Sequence, residues 1–131
     1  MAYTSDLVAS AKRHFRDGES LLKAKSAQHA GYHFGFAAEC ALKSILFRHQ
    51  IPLPAERRDN PFWVHFPDLR TILIRDGKGR LTQRLYDVIA HGAFMQNWDT
   101  DIRYAADQSV TSERAELWRA QADTVFGLIF Y

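Results

Sequence analysis

Apolar residues recur at helical spacing along most of the chain, and no segment alternates convincingly between apolar and polar positions as a strand would. Ser5 is suited to cap a first helix, which only the weak helix former Gly18 interrupts. The apolar positions of this helix are Leu7, Val8, Ala11, Phe15, Leu21 and Leu22. The pattern predicts an amphipathic helix on the surface of a bundle.

A second helix is predicted from about Ala27 to His49, with Ser26 as its cap. One apolar stripe of this helix consists of Ala30, Phe34, Ala37, Ala41 and Ile45, while Tyr32, Phe36, Leu42 and Leu46 lie on its other sides. A helix that is apolar nearly all round is typically buried. The sequence therefore predicts that this helix is the centre of the fold.

Three further helices follow a proline-rich loop, Ile51 to Val64, which is long enough to suggest a functional role. Pro67 suits the first turn of a short helix that stops near Gly77. A fourth helix has Leu81, Leu85, Val88 and Ile89 facing inward and Gly92 at its end, and a last one begins at Thr111 or Ser112 after an irregular stretch. The prediction is an all-α fold, an up-and-down bundle of about five helices.

Length and composition fit a single helical domain spanning residues 1–131. Charged residues make up 24% and hydrophobic residues 47%, no apolar run is long enough to cross a bilayer, and the N-terminus lacks a signal-peptide pattern. We therefore expect a cytoplasmic protein without membrane contact. Cys40, the only cysteine, is predicted to be a buried, inert thiol. The net charge of +2 permits nucleic-acid contact without predicting it.

Glu39 and Lys43 are the only formally charged residues between Gly31 and Leu46. They are four residues apart, in the order that favours an ion pair on one helical face. Buried charges need partners, because a half-satisfied pair in a core is strongly destabilising. The pair is interpreted as structural, with the lining of a ligand or RNA groove as the alternative.

Three segments together resemble the HEPN family of prokaryotic helical domains: AGYHFGFAAECALKSIL, HFPDLRTIL and WDTDIRYA. The family pattern has a central helix with an aromatic residue, a small residue, Glu and Leu-Lys, then a His-x-x-Asp-Leu helix start, then Trp followed by Arg-Tyr. The matching positions are Tyr32, Gly35, Glu39, Leu42, Lys43, His65, Asp68, Leu69, Trp98, Arg103 and Tyr104. The resemblance implies a helical bundle that commonly dimerises and that belongs to toxin–antitoxin, RNA-cleaving or defence systems, with some members acting as non-catalytic binding partners.

Arg103 is predicted to be the second partner of Glu39, since its family position is shared and a guanidinium can hold a carboxylate with two hydrogen bonds. With Tyr104 it is expected to pack against the central helix. The candidate binding residues are Glu39, Lys43, His65, Trp98, Arg103 and Tyr104.

RNA-cleaving members of the family use an Arg and a His separated by four to six residues, without metal. Arg84 and His91 have this spacing, with Asp87 between them to orient either side chain. If the fourth helix includes all three, Arg84 and His91 lie almost on one face, about 10 Å apart along the axis. The Arg would hold the phosphate while the His moves a proton. Leu85 departs from the family pattern, which usually has a polar residue after the Arg. The alternative is a solvated basic face.

The remaining histidines suggest no metal centre. His29 and His33 have the i, i+4 spacing of a zinc pair, but no HExxH pattern or further ligands accompany them, so no metal and no cofactor is predicted. His65 is expected to hydrogen-bond locally at a helix start. His14 and His49 are interpreted as ordinary surface residues.

Two functions remain open from the sequence. The first is a non-catalytic HEPN-like interaction module that binds a cognate protein partner, with RNA or a nucleotide as a further ligand and a homodimer as a possible assembly. The second is a metal-independent ribonuclease that uses Arg84 and His91.

Overall fold

The computed structural model describes residues 5–48 and 63–131, and this part of the chain contains five α-helices and no strand. The helices are α1 (Leu7–Lys23), α2 (Ala27–Arg48), α3 (Asp68–Gly77), α4 (Gln83–Ala90) and α5 (Ser112–Ile129), and a short 3-10 helix covers Thr100–Tyr104. The predicted all-α bundle is therefore confirmed. Most of the proline-rich loop and the predicted end of α2 at His49 lie outside the described residues.

Side chains cap three of the helices. Asp6, and not the predicted Ser5, accepts a hydrogen bond from the backbone of Ala9 at the start of α1. Thr82 caps α4 and Thr111 caps α5 in the same way. Of the two residues predicted for the start of the last helix, Thr111 is therefore the cap. Leu81, predicted to lie in α4, is buried but precedes the helix. Each cap satisfies one of the backbone N–H groups that a helix leaves unpaired in its first turn.

Helix α2 forms the centre of the fold, as its all-round apolar pattern predicts. Phe34, Ala37, Ala38, Ala41 and Leu42 are completely buried, and α1 and α5 pack along this helix. Small residues permit this close approach, because glycine and alanine bring two helix backbones nearer than larger side chains would. The described helices include none that is both long and apolar enough to span a membrane.

Helices α3 and α4 are joined by an arginine that the sequence pattern does not reveal. The guanidinium of Arg70 in α3 donates to the backbone carbonyls of Ile89, Ala90 and His91 at the C-terminus of α4. These carbonyls have no partner within the helix, and a cation is favoured at that end of the helix dipole. Helix α4 ends at Ala90, and His91 adopts an extended conformation with φ −62° and ψ 131°.

The stretch between α4 and α5 is anchored to α2 by Trp98. This side chain is 1% exposed, and its indole N–H donates to the carbonyl of Gly31 at 2.9 Å. Its ring packs edge-on against Phe36 and Phe66. The sequence predicted an irregular segment here, whereas the structure places a 3-10 helix directly after Trp98, with Ile102 buried. The residues that follow the indole are thus held at a defined position beside α2.

Candidate functional site

A buried carboxylate connects α2 to the start of α3. Glu39 is 1% exposed, and its Oε1 accepts a hydrogen bond of 2.8 Å from the backbone N–H of Phe66. Its Oε2 lies 2.8 Å from Nδ1 of His65 and 3.7 Å from Nζ of Lys43. Because an ionised carboxylate only accepts, Nδ1 of His65 is the donor of this bond. We call these residues, Glu39, Lys43 and His65, the Glu39 cluster.

The Glu39 cluster corrects two predictions. Arg103 is not the partner of Glu39. Both carboxylate oxygens are engaged by other groups, namely Lys43 of α2 and the two residues His65 and Phe66, which precede the cis-proline Pro67. His65 does not bond only locally, because its ring reaches across to α2. The interpretation of Glu39 and Lys43 as an ion pair agrees with the observed distance.

Burial shapes the acid–base behaviour of this region. Burial lowers the pKa of Lys43, and the neighbouring carboxylate of Glu39 opposes that change. Burial also raises the pKa of the half-buried Cys40 thiol to about 11, with the charge of Glu39 acting in the same direction. A thiol with so high a pKa is almost entirely protonated at neutral pH, so Cys40 is a poor nucleophile, as predicted.

His65 has the arrangement by which a carboxylate orients an imidazole. The bond to Glu39 holds the proton on Nδ1 and leaves Nε2 as the basic nitrogen, and the side chain is 45% exposed. The ring of Phe36 packs edge-on against it. The cluster therefore presents one oriented histidine at the surface, although its main effect is to attach the start of α3 to α2.

Of the three predicted catalytic residues, only Asp87 and His91 belong to the described lining of one groove. Helix α4 ends at Ala90, and His91 is its C-cap residue, whose backbone N–H still bonds to the carbonyl of Asp87. Its Nδ1 accepts from the backbone of Ala93, while Asp87 accepts from Gln83. Arg70 satisfies the carbonyls with which α4 ends.

Asp87 and His91 do share a shallow groove between α4 and α5. The groove has a volume of about 320 Å³ and is also lined by Val88, Phe94, Gln121 and Thr124. Arg84 is exposed and does not belong to the described lining of this groove. The lining that is described consequently provides a histidine and a carboxylate, but no guanidinium to hold a phosphate.

The segment from Trp98 to Tyr104 combines a buried anchor with an exposed end. Tyr104 is 80% exposed, and the guanidinium carbon of Arg103 lies 5.1 Å from the centre of its ring. The prediction that Tyr104 packs against α2 is therefore wrong. Arg103 is also exposed, but it borders a groove whose opposite wall includes Tyr32 and His33 of α2.

A histidine pair between α1 and α2 is absent from the sequence-based predictions. Nδ1 of His14 lies 3.0 Å from Nδ1 of His33, so one ring donates and the other accepts. His14 is half-buried and not an ordinary surface residue. Burial is the largest cause that lowers the pKa of both rings, and for His14 the neighbouring His33 adds to it. Within the described residues, no three His, Cys, Asp or Glu side chains form a group able to hold a metal ion.

Stability should fall as this histidine pair is protonated. Both folded-state pKa values lie below the ordinary value of 6.5, so the unfolded chain binds more protons in the window between the folded and unfolded values. The contribution is complete well above pH 6.5 and is lost as the pH falls through 6.5 towards the folded-state values. We expect urea unfolding to show a free energy of unfolding that declines as the pH falls below about 7.5.

The double variant His14→Gln, His33→Gln should show a flatter dependence on pH, because glutamine forms hydrogen bonds without titrating. The exposed His91→Gln serves as the matched control and should retain the wild-type dependence. An unchanged slope in the double variant would assign the acid sensitivity to other groups.

Comparisons of this chain with family models, with curated proteins and with solved structures found no match in any of the three.

Proposed function

We propose that the chain is a non-catalytic, HEPN-like interaction module that binds a cognate protein partner of the toxin–antitoxin or immunity type in the cytoplasm. The observation that carries the proposal is the exposed Arg103–Tyr104 pair on an anchored backbone. A tyrosine that is 80% exposed stands beside an arginine, directly after a segment fixed by the buried Trp98. Tyrosine and arginine are enriched among the residues that contribute most to protein interfaces.

A rigid support matters for such a surface. Binding is opposed by the loss of side-chain and backbone freedom, and a surface that is already ordered loses less of it. Trp98 and Ile102 are buried on either side of the first turn of the 3-10 helix, so the backbone of Arg103 is ordered before a partner arrives. RNA or a nucleotide as a further ligand, and a homodimer as the assembly, remain parts of the proposal that the resemblance suggests.

A metal-independent ribonuclease is the second candidate, and it is favoured by the presence of Asp87 and His91 in one groove. Against it stands the absence of Arg84 from the described lining of that groove. The interaction module is thus better supported than the enzyme.

Incubation of the purified protein with total tRNA and single-stranded RNA in EDTA tests this choice. We expect no cleavage above background, and the same result for Arg84→Ala and His91→Ala. A ribonuclease using these residues would instead cleave RNA and lose about a hundredfold or more in rate in either variant, the usual scale of general acid–base catalysis. That outcome would replace the interaction module with the enzyme.

The partner itself is best sought among the products of neighbouring genes, by coexpression and size-exclusion chromatography. A stable complex with a nucleotidyltransferase or toxin encoded next to this chain would support the module. The variant Tyr104→Ala should weaken that complex, whereas Leu117→Ala, an exposed apolar residue on α5, should not.

A further inference from the structure

A groove beside the Arg103–Tyr104 pair has an unusual set of polar side chains. It lies between α1, α2 and the 3-10 helix, has a volume of about 370 Å³, and is lined by Leu21, His29, Tyr32, His33, Ile102 and Arg103. The described lining contains no carboxylate. Its polar groups are a guanidinium, two imidazoles and a phenol, all of which are able to donate hydrogen bonds. We call it the Arg103 groove.

Arg103 has unused donors. In the described residues it forms no ion pair and no hydrogen bond, and its contact is with the ring of Tyr104. The other arginines with structural roles differ in this respect: Arg70 binds three carbonyls, and Arg119 lies near Glu19 and Glu116. The fork of N–H groups on Arg103 is consequently available for an external acceptor.

The two histidines add further hydrogen-bonding groups to this groove. Nδ1 of His33 is engaged by His14, which leaves Nε2 as its second hydrogen-bonding atom. Burial lowers the pKa of His33, so the ring is mostly neutral at neutral pH. His29 is exposed at the start of α2, and its Nδ1 lies 3.5 Å from the hydroxyl of Ser26. The groove therefore holds one permanent positive charge and two imidazoles, and Nε2 of His33 donates when its Nδ1 accepts from His14.

From this chemistry we infer that the Arg103 groove binds an acidic side chain of the protein partner, with Tyr104 covering the apolar residue beside it. The inference rests on the proposed function and specifies the kind of partner surface that this function requires. A guanidinium pairs with a single carboxylate through two parallel hydrogen bonds, which gives both strength and orientation. The imidazoles of His29 and His33 line the same groove as further hydrogen-bonding groups.

A polynucleotide fits this surface less well than an acidic peptide. Binding to a nucleic-acid backbone usually relies on several Lys and Arg side chains that neutralise successive phosphates. Here the only permanent cation of the described lining is Arg103, while Asp99 and Asp101 stand close to it in sequence. Asp17 of α1 is also near enough to favour the charged form of His33. These carboxylates would repel a continuous polyanion, whereas a single acidic side chain can bind Arg103 without coming close to them.

The test uses the full chain and a fluorescein-labelled, C-terminally amidated peptide with one Glu-Tyr pair in a neutral Gly-Ser sequence, followed by anisotropy of the peptide and by NMR of the histidine rings of the protein. We expect the peptide to bind, to shift the ring signals of His29 and His33, and to lose about tenfold or more in affinity with Arg103→Gln. Arg103→Lys, which keeps the charge but not the fork, should give an intermediate loss. Arg80→Gln, a change at an exposed arginine in the turn after α3, is the matched control and should bind like wild type.

The same peptide with Gln in place of its glutamate should fail to bind. Arg103 is exposed, so circular dichroism should show all variants folded. Equal affinities for Arg103→Gln and Arg80→Gln, or Arg103-dependent binding of a uridine oligonucleotide in preference to the peptide, would overturn the inference. These outcomes differ from RNA cleavage through Arg84 and His91, which would overturn the interaction module itself.

Discussion

Replacing Glu39 with alanine is expected to lower the free energy of unfolding by about 3–5 kcal/mol, the usual cost of removing one partner from a buried charged network. The change removes the acceptor of the buried Phe66 N–H and of His65 Nδ1. It also removes the carboxylate that offsets the buried charge of Lys43. An unpaired buried donor and a less compensated buried charge are each costly, so the losses act in the same direction.

Two further variants test whether this loss of stability comes from the charge and the buried position of Glu39. Glu39→Gln keeps an acceptor for Phe66 but removes the charge, so it should fall between wild type and Glu39→Ala. Glu116→Ala removes a 57% exposed carboxylate that lies 3.9 Å from Arg119 within α5, and such surface pairs contribute about 0–1 kcal/mol. The measurement is urea unfolding at neutral pH. Equal losses for Glu39→Ala and Glu116→Ala would mean that the Glu39 cluster does not attach α3 to α2.

Gly35→Ala and Gly127→Ala are expected to change stability in opposite directions, although both glycines lie inside long helices. At Gly35 an added methyl group would overlap the indole of Trp98, so either the indole or α2 has to move. Overpacking of a filled core costs about 1–3 kcal/mol, and displacement of the indole also weakens its bond to Gly31. The gain of about 1 kcal/mol in helix propensity does not offset these losses.

Gly127 provides the matched control, because a methyl group at this position meets no atom within 4 Å. Gly127→Ala should therefore stabilise the protein by about 0.5–1 kcal/mol through helix propensity alone. Thermal and urea unfolding of the two variants measure the difference, and tryptophan fluorescence reports on Trp98. If Gly35→Ala were as stable as Gly127→Ala, Trp98 would not anchor the segment that carries Arg103 and Tyr104 in the way the structure indicates.

The helical architecture follows from the sequence pattern alone. Apolar residues at helical spacing predicted five helices, and the nearly all-round apolar surface of α2 predicted that it is buried at the centre. Both expectations depend on local periodicity, which any helix must satisfy within its own residues. The same reasoning established that Glu39, placed in such a helix, needs buried partners, because an unpaired charge there would be strongly destabilising.

Which partners Glu39 has was decided by the tertiary structure. His65 and Phe66 follow it by 26 and 27 residues, and a connection of that length does not determine which groups meet. The pairing of His14 with His33 depends in the same way on the register of α1 against α2. The bonds from Arg70 to the carbonyls at the end of α4 likewise join residues 19 to 21 positions apart in the sequence. Periodicity determines where helices form, but the contacts between distant segments determine which side chains share a site.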